Sequence, residues 1–170
     1  RLLRKKQTDY TIKWYRGFLT MAELPVEKLL ISEVLQKISN AKTKKEKITL
    51  LKKYKSPALQ SILIWSYDES VKSMVPPGDV PYTPNDTPEG TEHTLLFHEY
   101  KKLFHFVKGG NDKLAQSRRE MMFIQILEGL HESEAKVLCL TKDKQLSKRY
   151  KITKACISEA YPEIQWGNRS

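Results

Sequence analysis

From residue 25 the apolar positions recur with the period of a helix. Leu29, Leu30, Val34, Leu35 and Ile38 follow one another at three and four after Pro25, a residue suited to a first helical turn, and residues 40–42 end the run. Thr43 stands three residues before Glu46, the spacing of a capping box. It opens a second short helix with Ile48, Leu50, Leu51 and Tyr54 on one side and lysine on the other. Ser56 and Pro57 start a third, carrying Leu59, Ile62, Leu63 and Trp65. Three short helices with tight connections predict a compact helical fold.

Residues 74–90, MVPPGDVPYTPNDTPEG, hold five of the eight prolines, so neither a helix nor a central strand can run through them; an ordered surface loop is expected. Helix is predicted again over residues 91–107, with Leu96, Tyr100, Leu103, Phe104 and Val107 as the buried stripe and Gly109-Gly110 as the stop. Asn111 can cap the next helix, residues 112–130. There Leu114, Met121, Ile124 and Leu127 are expected inward, and Gln116, Arg118, Arg119 and Glu120 in water. After a turn at residues 129–131, a helix from Ser133 presents Ala135, Val137, Leu138 and Leu140. Outside the Pro-rich loop, Val, Ile and Thr never alternate with polar residues over a strand length. The expected fold is all-α, a single domain of about seven or eight helices with one Pro-rich loop.

A length of 170 residues suits one domain, and a 39% hydrophobic fraction supports a folded core. The net charge of +10 changes the picture, because it asks for an acidic partner: nucleic acid first, an anionic membrane second, an acidic protein third. Residues 1–20 hold six basic residues and one acid and so carry half of that charge. They form a basic arm ahead of Met21, whose context resembles a translation start, so the arm is either upstream sequence or a tail able to lay Trp14 and Tyr15 on a nucleic-acid backbone. Residues 21–170 form the helical domain. Cys139 and Cys156 both fall on apolar helix faces, which fits reduced core thiols and a cytoplasmic protein. No apolar run approaches the roughly 18 residues of a membrane span.

The densest cationic stretch is residues 141–162, TKDKQLSKRYKITKACISEAYP. Lys142, Lys144, Lys148, Arg149, Lys151 and Lys154 are opposed there by Asp143 and, later, Glu159. Thr153 can cap a short amphipathic helix, so cations and a helix N-terminus meet at one turn, an arrangement suited to a phosphate. A solvated basic loop closing the last helical hairpin explains the same residues.

Catalytic and metal chemistry find little support. His98 and His105 are two helical turns apart, roughly 10.5 Å of rise, too far to share one ion unaided, and no metal or cofactor is expected. Neither phosphate-loop glycine pattern is present, and no local signature supplies a nucleophile with its base. The carboxylate pairs Glu132 with Glu134 and Glu89 with Glu92 have polar neighbours and are expected on a solvated surface. The chain is expected not to be an enzyme.

Two blocks carry a family resemblance. LQSILIWSYDESVKSMVPPGDVPYTP, residues 59–84, has an apolar helix, a Tyr-Asp pair, a short second helix and a Pro-rich loop. Residues 116–162 have a helical hairpin, a basic turn and a last short helix ending at Tyr161-Pro162. Together they resemble the N-terminal DNA-binding domain of ATP-dependent DNA ligases of the bacteriophage type. The chain is also similar to a small family encoded by marine bacteriophages, a stand-alone form of that domain. The ligase K-x-D-G motif is absent, since Lys142-Asp143-Lys144 lacks both the spacing and the glycine, so the resemblance excludes ligation by this chain. Where that family tends to place a glycine before the last helix, this sequence has Lys151. The resemblance implies a helical domain on the minor-groove side of duplex DNA, with Lys148, Arg149, Lys151, Thr153 and Lys154 at the last hairpin and Lys72 and Ser73 in the corresponding turn of the first half. With Lys142 and Lys144 these are the candidate DNA-binding residues. The function implied is non-enzymatic contact with the duplex phosphate backbone in phage replication, repair or recombination. The alternative is a protein-interaction module that docks on a replication or transcription protein such as a sliding clamp.

Overall fold

A computed structural model of the chain describes residues 29–85 and 93–169. The basic arm, the predicted helix start at Pro25, the start of the 91–107 helix and the pair Glu89 and Glu92 lie outside the described residues. Within them run α1 (Ile31–Asn40), α2 (Lys44–Lys53), α3 (Pro57–Tyr67) and α4 (Leu96–Glu99), the last passing directly into a 3-10 helix (Tyr100–Phe106). Then come α5 (Gln116–Gly129), α6 (Glu132–Lys142), α7 (Leu146–Arg149) and α8 (Lys154–Ala160). Among the described residues there is no strand, only isolated backbone bridges, and the expected all-α domain is what forms.

The axis of the domain is α3. Its sequence is apolar on nearly every side, which suits a helix enclosed by others, and Ala58, Leu59, Ile62, Leu63 and Trp65 are all buried. Ser56 accepts the Leu59 N–H and Pro57 occupies the first turn, as its sequence predicts. Against α3 pack α4, the 3-10 helix and α6. Elsewhere α8 packs on α2, where the fully buried Tyr161 donates its hydroxyl to the Leu51 carbonyl. Thr43 caps α2 from the Glu46 N–H, and Glu46 reaches back to the Lys42 N–H, one residue before the cap.

Three sequence expectations are corrected. Residues 96–106 form one α-helical turn followed by a 3-10 helix; at three residues per turn Leu103 and Phe106 share the buried side, and Phe104 is left 49% exposed. The helix expected from Asp112 starts at Gln116, with Ala115 rather than Asn111 at its cap. Its buried stripe is Arg119, Phe123, Ile126 and Leu127, so Met121 is 60% exposed while Arg119 is buried. Finally, Glu134 is not a surface carboxylate but fully buried.

Glu134 ties the halves of the chain together. Its Oε2 accepts the Ile31 N–H at 2.9 Å and its Oε1 the Leu96 N–H at 3.1 Å, the first residues of α1 and α4, while Glu134 itself lies in the first turn of α6. Beside it Ser32 and Ser133 share a hydroxyl hydrogen bond of 2.9 Å, and His131 caps α6 from the Ser133 N–H. One carboxylate thus satisfies the free donors of two helix starts from within a third. Glu134→Ala strands two buried N–H groups and is expected to cost about 3 kcal/mol or more of stability in urea titrations. Glu134→Gln keeps one acceptor oxygen and is expected to cost roughly half as much.

Candidate nucleic-acid interface

The basic stretch divides into an inward and an outward part. Lys142 is only 2% exposed, and its ammonium donates to the carbonyls of Pro76 (2.9 Å) and Gly78 (2.9 Å) and to Asp143 Oδ1 (2.7 Å). It is the pin that fastens the Pro-rich loop to the end of α6. Lys144, in the left-handed backbone region at φ 56°, donates to the carbonyls of Trp65 (2.8 Å) and Asp68 (2.6 Å), and burial lowers its pKa. Ser73 accepts the Trp65 indole N–H at 2.8 Å and donates to the Lys142 carbonyl at 2.7 Å. The polar side-chain atoms of these three expected DNA-binding residues are engaged by groups within the protein. Lys72, next to Ser73, stays exposed.

The outward part is the turn from α7 into α8. Lys148, Arg149, Lys151, Thr153 and Lys154 are all exposed. Arg149 lies over the Tyr150 ring at 4.9 Å and Lys154 over Trp166 at 5.0 Å, so both cations are partly ordered by aromatic faces. Thr153 caps α8 from the Cys156 N–H, as its sequence predicts. However, α8 has only seven residues, and its start adds little to the cations. The Lys151 N–H donates to Ser39 Oγ at 2.9 Å and its carbonyl accepts from Lys47 Nζ, so its backbone is occupied and its side chain alone is left for a ligand.

That second bond brings in residues the sequence reading passed over. Because α8 packs on α2, two lysines of α2 reach the last segment of the chain. Lys44 pairs with Glu159 at 2.7 Å, and Lys47 reaches Lys151. Lys45 and Lys52 stand seven residues apart on the solvent face of α2 with Thr49 between them, and neither makes an ion pair with a described residue. The lysine-rich side of the second helix was the available signal.

Other chemistry is sparse. Among the described residues no group of three His, Cys, Asp or Glu is placed to hold a metal. The cleft of about 740 Å³ between residues 78–82 and α6 contains His131 and Cys139, but His131 is engaged in capping α6, and burial pushes the Cys139 thiol up to about 11. No helix among the described residues is long and apolar enough to cross a membrane.

Fold and surface together define an all-α domain with a lysine-rich ledge built from its second and last helices. A family of unknown function, DUF6433, matches residues 34–148, and the chain belongs to that family. The match runs from α1 into α7 and stops at Lys148. No curated protein and no solved structure matches the chain.

Lys142→Met is expected to lower stability by about 1 to 3 kcal/mol, since it removes the buried ammonium's bonds to the Pro76 and Gly78 carbonyls and to Asp143, whereas Lys148→Met is expected to change it by less than about 0.5 kcal/mol. Chemical denaturation of both variants checks the division. A pH effect follows from Asp68 at the end of α3. Burial pushes its carboxyl up, but hydrogen bonds from Ser70, Gly167 and Arg169 outweigh that and leave it at about 2, against 3.8 ordinarily. The unfolded chain therefore takes up this proton more readily. The stabilisation is complete above the ordinary value and is lost as pH falls toward about 2. Asp68→Asn is expected to be less stable than wild type at neutral pH, with the gap closing over that acidic window in a pH series of thermal melts.

Proposed function

We propose that this chain is a non-enzymatic DNA-binding protein that holds the phosphate backbone of duplex DNA on the ledge formed by α2 and the 148–154 turn. The observation that carries the reading is the meeting of exposed cations from segments about a hundred residues apart, joined where Lys47 reaches the Lys151 carbonyl. Lys148, Arg149, Lys151 and Lys154 supply the cations of the ledge, and Lys47 joins them to α2, whose solvent face adds Lys45 and Lys52. Flexible ammonium groups suit phosphate contacts and carry no base pattern of their own, so the expected binding is salt-sensitive and indifferent to sequence. The net charge of +10 supports the same partner. The resemblance to ligase DNA-binding domains extends the proposal to phage DNA replication, repair or recombination.

The test is a duplex-binding series across salt. Wild type is expected to lose affinity linearly in log–log form, with a slope of about −0.9 for each phosphate neutralised. Changing Lys148, Arg149, Lys151 and Lys154 together to Glu is expected to abolish binding at moderate salt, and changing them to Gln to flatten the slope by about 3 to 4. Duplex binding by the Glu variant as tight as that of wild type would sink the reading and leave docking on a replication or transcription protein as the alternative.

A further inference from the structure

A second surface lies between the end of α3 and the turn after the 3-10 helix. It is a groove of about 410 Å³ with Trp65, Tyr100 and Phe104 among its aromatic lining and Lys101, Lys108 and Arg169 as its cations. Among the described residues no carboxylate lines it, whereas each of four other clefts includes at least one; Arg169 is itself paired with Asp68 at 3.0 Å, which leaves Lys101 and Lys108 as its available cations. Lys101 and Lys108 are exposed and make no ion pair with a described residue. A lone exposed phenylalanine is ordinary on a protein surface. An exposed phenylalanine flanked by two lysines that make no ion pair with a described residue is a different case.

The platform is also held rigidly. Phe104 lies against His105 with ring centroids 3.9 Å apart and planes tilted by 35°, and His105 is fixed at both its carbonyl and its ring: Arg119 Nε donates to the carbonyl at 2.8 Å, and Asn111 bonds the ring at 3.0 Å. The chain then folds back so closely that a Cβ on Gly110 would lie 1.9 Å from the Phe104 carbonyl oxygen, so only glycine fits there. The Lys108 N–H donates to the Lys72 carbonyl at 2.8 Å, which sets exposed Lys72 beside Lys108 and continues the line of cations out of the groove.

We propose that this groove takes an unpaired nucleotide, its base stacked on Phe104 and its flanking phosphates on Lys101 and Lys108. Aromatic faces flanked by cations are the elements that bind single strands irrespective of sequence. A base inside a duplex has both faces covered by its neighbours, and the groove is far too small to take in a base pair, so the occupant is a base outside the stack, as at an overhang, flap or gap. The inference rests on the DNA-binding reading and adds to it a preference for duplex that carries a single-stranded end.

The test uses the full chain with a blunt duplex and with the same duplex bearing a short single-stranded overhang that contains 2-aminopurine. Wild type is expected to bind the overhang form on the order of tenfold more tightly and to quench the 2-aminopurine. Phe104→Ala is expected to remove both the preference and the quenching while leaving blunt-duplex affinity unchanged; Phe104→Trp is expected to retain them. The double change Lys101→Glu with Lys108→Glu, at two exposed positions, is expected to match Phe104→Ala. Blunt-duplex binding with no overhang preference in wild type, or a preference that survives Phe104→Ala, would overturn the groove and leave the ledge standing. Failure of wild type to bind either form would overturn both.

Discussion

The buried carboxylate of Glu134 is the constraint on which the rest of the arrangement depends. It lies in the first turn of α6 and takes the leading N–H of both α1 and α4, so three helices start from one point. A carboxylate in that setting is held in place by the need to satisfy those donors, and they by the need to satisfy it. The effects reach the surface. With α1 anchored at Ile31, Ser39 near its far end meets the Lys151 N–H, and this fixes the turn that carries the exposed cations. α2 follows α1 after a tight connection and is clamped to α8 through Tyr161. The ledge is thus set by a chain of contacts that begins at a buried acid.

Cations inside the protein change what its net charge means. Lys142, Lys144 and Arg119 count fully toward +10, yet their donors are taken by backbone carbonyls, by Asp143 and by Gln116. Lys44 and Lys55 are paired on the surface with Glu159 and Glu163. Among the described residues, exposed cations without an ion pair include those on the outer face of α2, on the 148–154 turn, and along Lys72, Lys101 and Lys108. A formal charge indicates an anionic partner, but only burial and pairing say where it can bind.

Much of this is legible in the sequence, and the misses that concern charged residues share a cause. Apolar spacing located most of the helices, and Thr43, Ser56, Pro57 and Thr153 marked their starts correctly, because capping is a local interaction within a few residues. The errors came where a charged residue was assigned outward on its chemistry alone. Glu134, Leu138, Thr141 and Lys142 fall on one stripe of α6 with Ala135, and Arg119 lies four residues before Phe123 on α5; in both cases the spacing pointed inward. Met121 was chosen for its hydrophobicity, although Phe123, Ile126 and Leu127 define a different phase. Nothing in the sequence showed the carbonyls of Pro76, Gly78, Trp65 and Asp68 waiting for lysines, since those partners lie more than sixty residues away. The split of residues 96–106 into α and 3-10 turns was equally hidden, and it decides that Phe104 faces out.

Lys142 and Lys144 shape the surface from within. Lys144 holds the Trp65 carbonyl, while Ser73 takes the Trp65 indole N–H and passes to the Lys142 carbonyl. Trp65 is thereby fixed at its backbone and at its ring, and it lines the aromatic groove that ends in Phe104. The next links run outward, because Ser73 bridges to Val107 and so places Lys72 beside Lys108. A charge that would be weak and mobile on the surface instead orders a large aromatic side chain and the strip of backbone that carries two exposed cations. Lys142, Lys144 and Ser73 thus act by fixing the geometry of the groups that remain exposed.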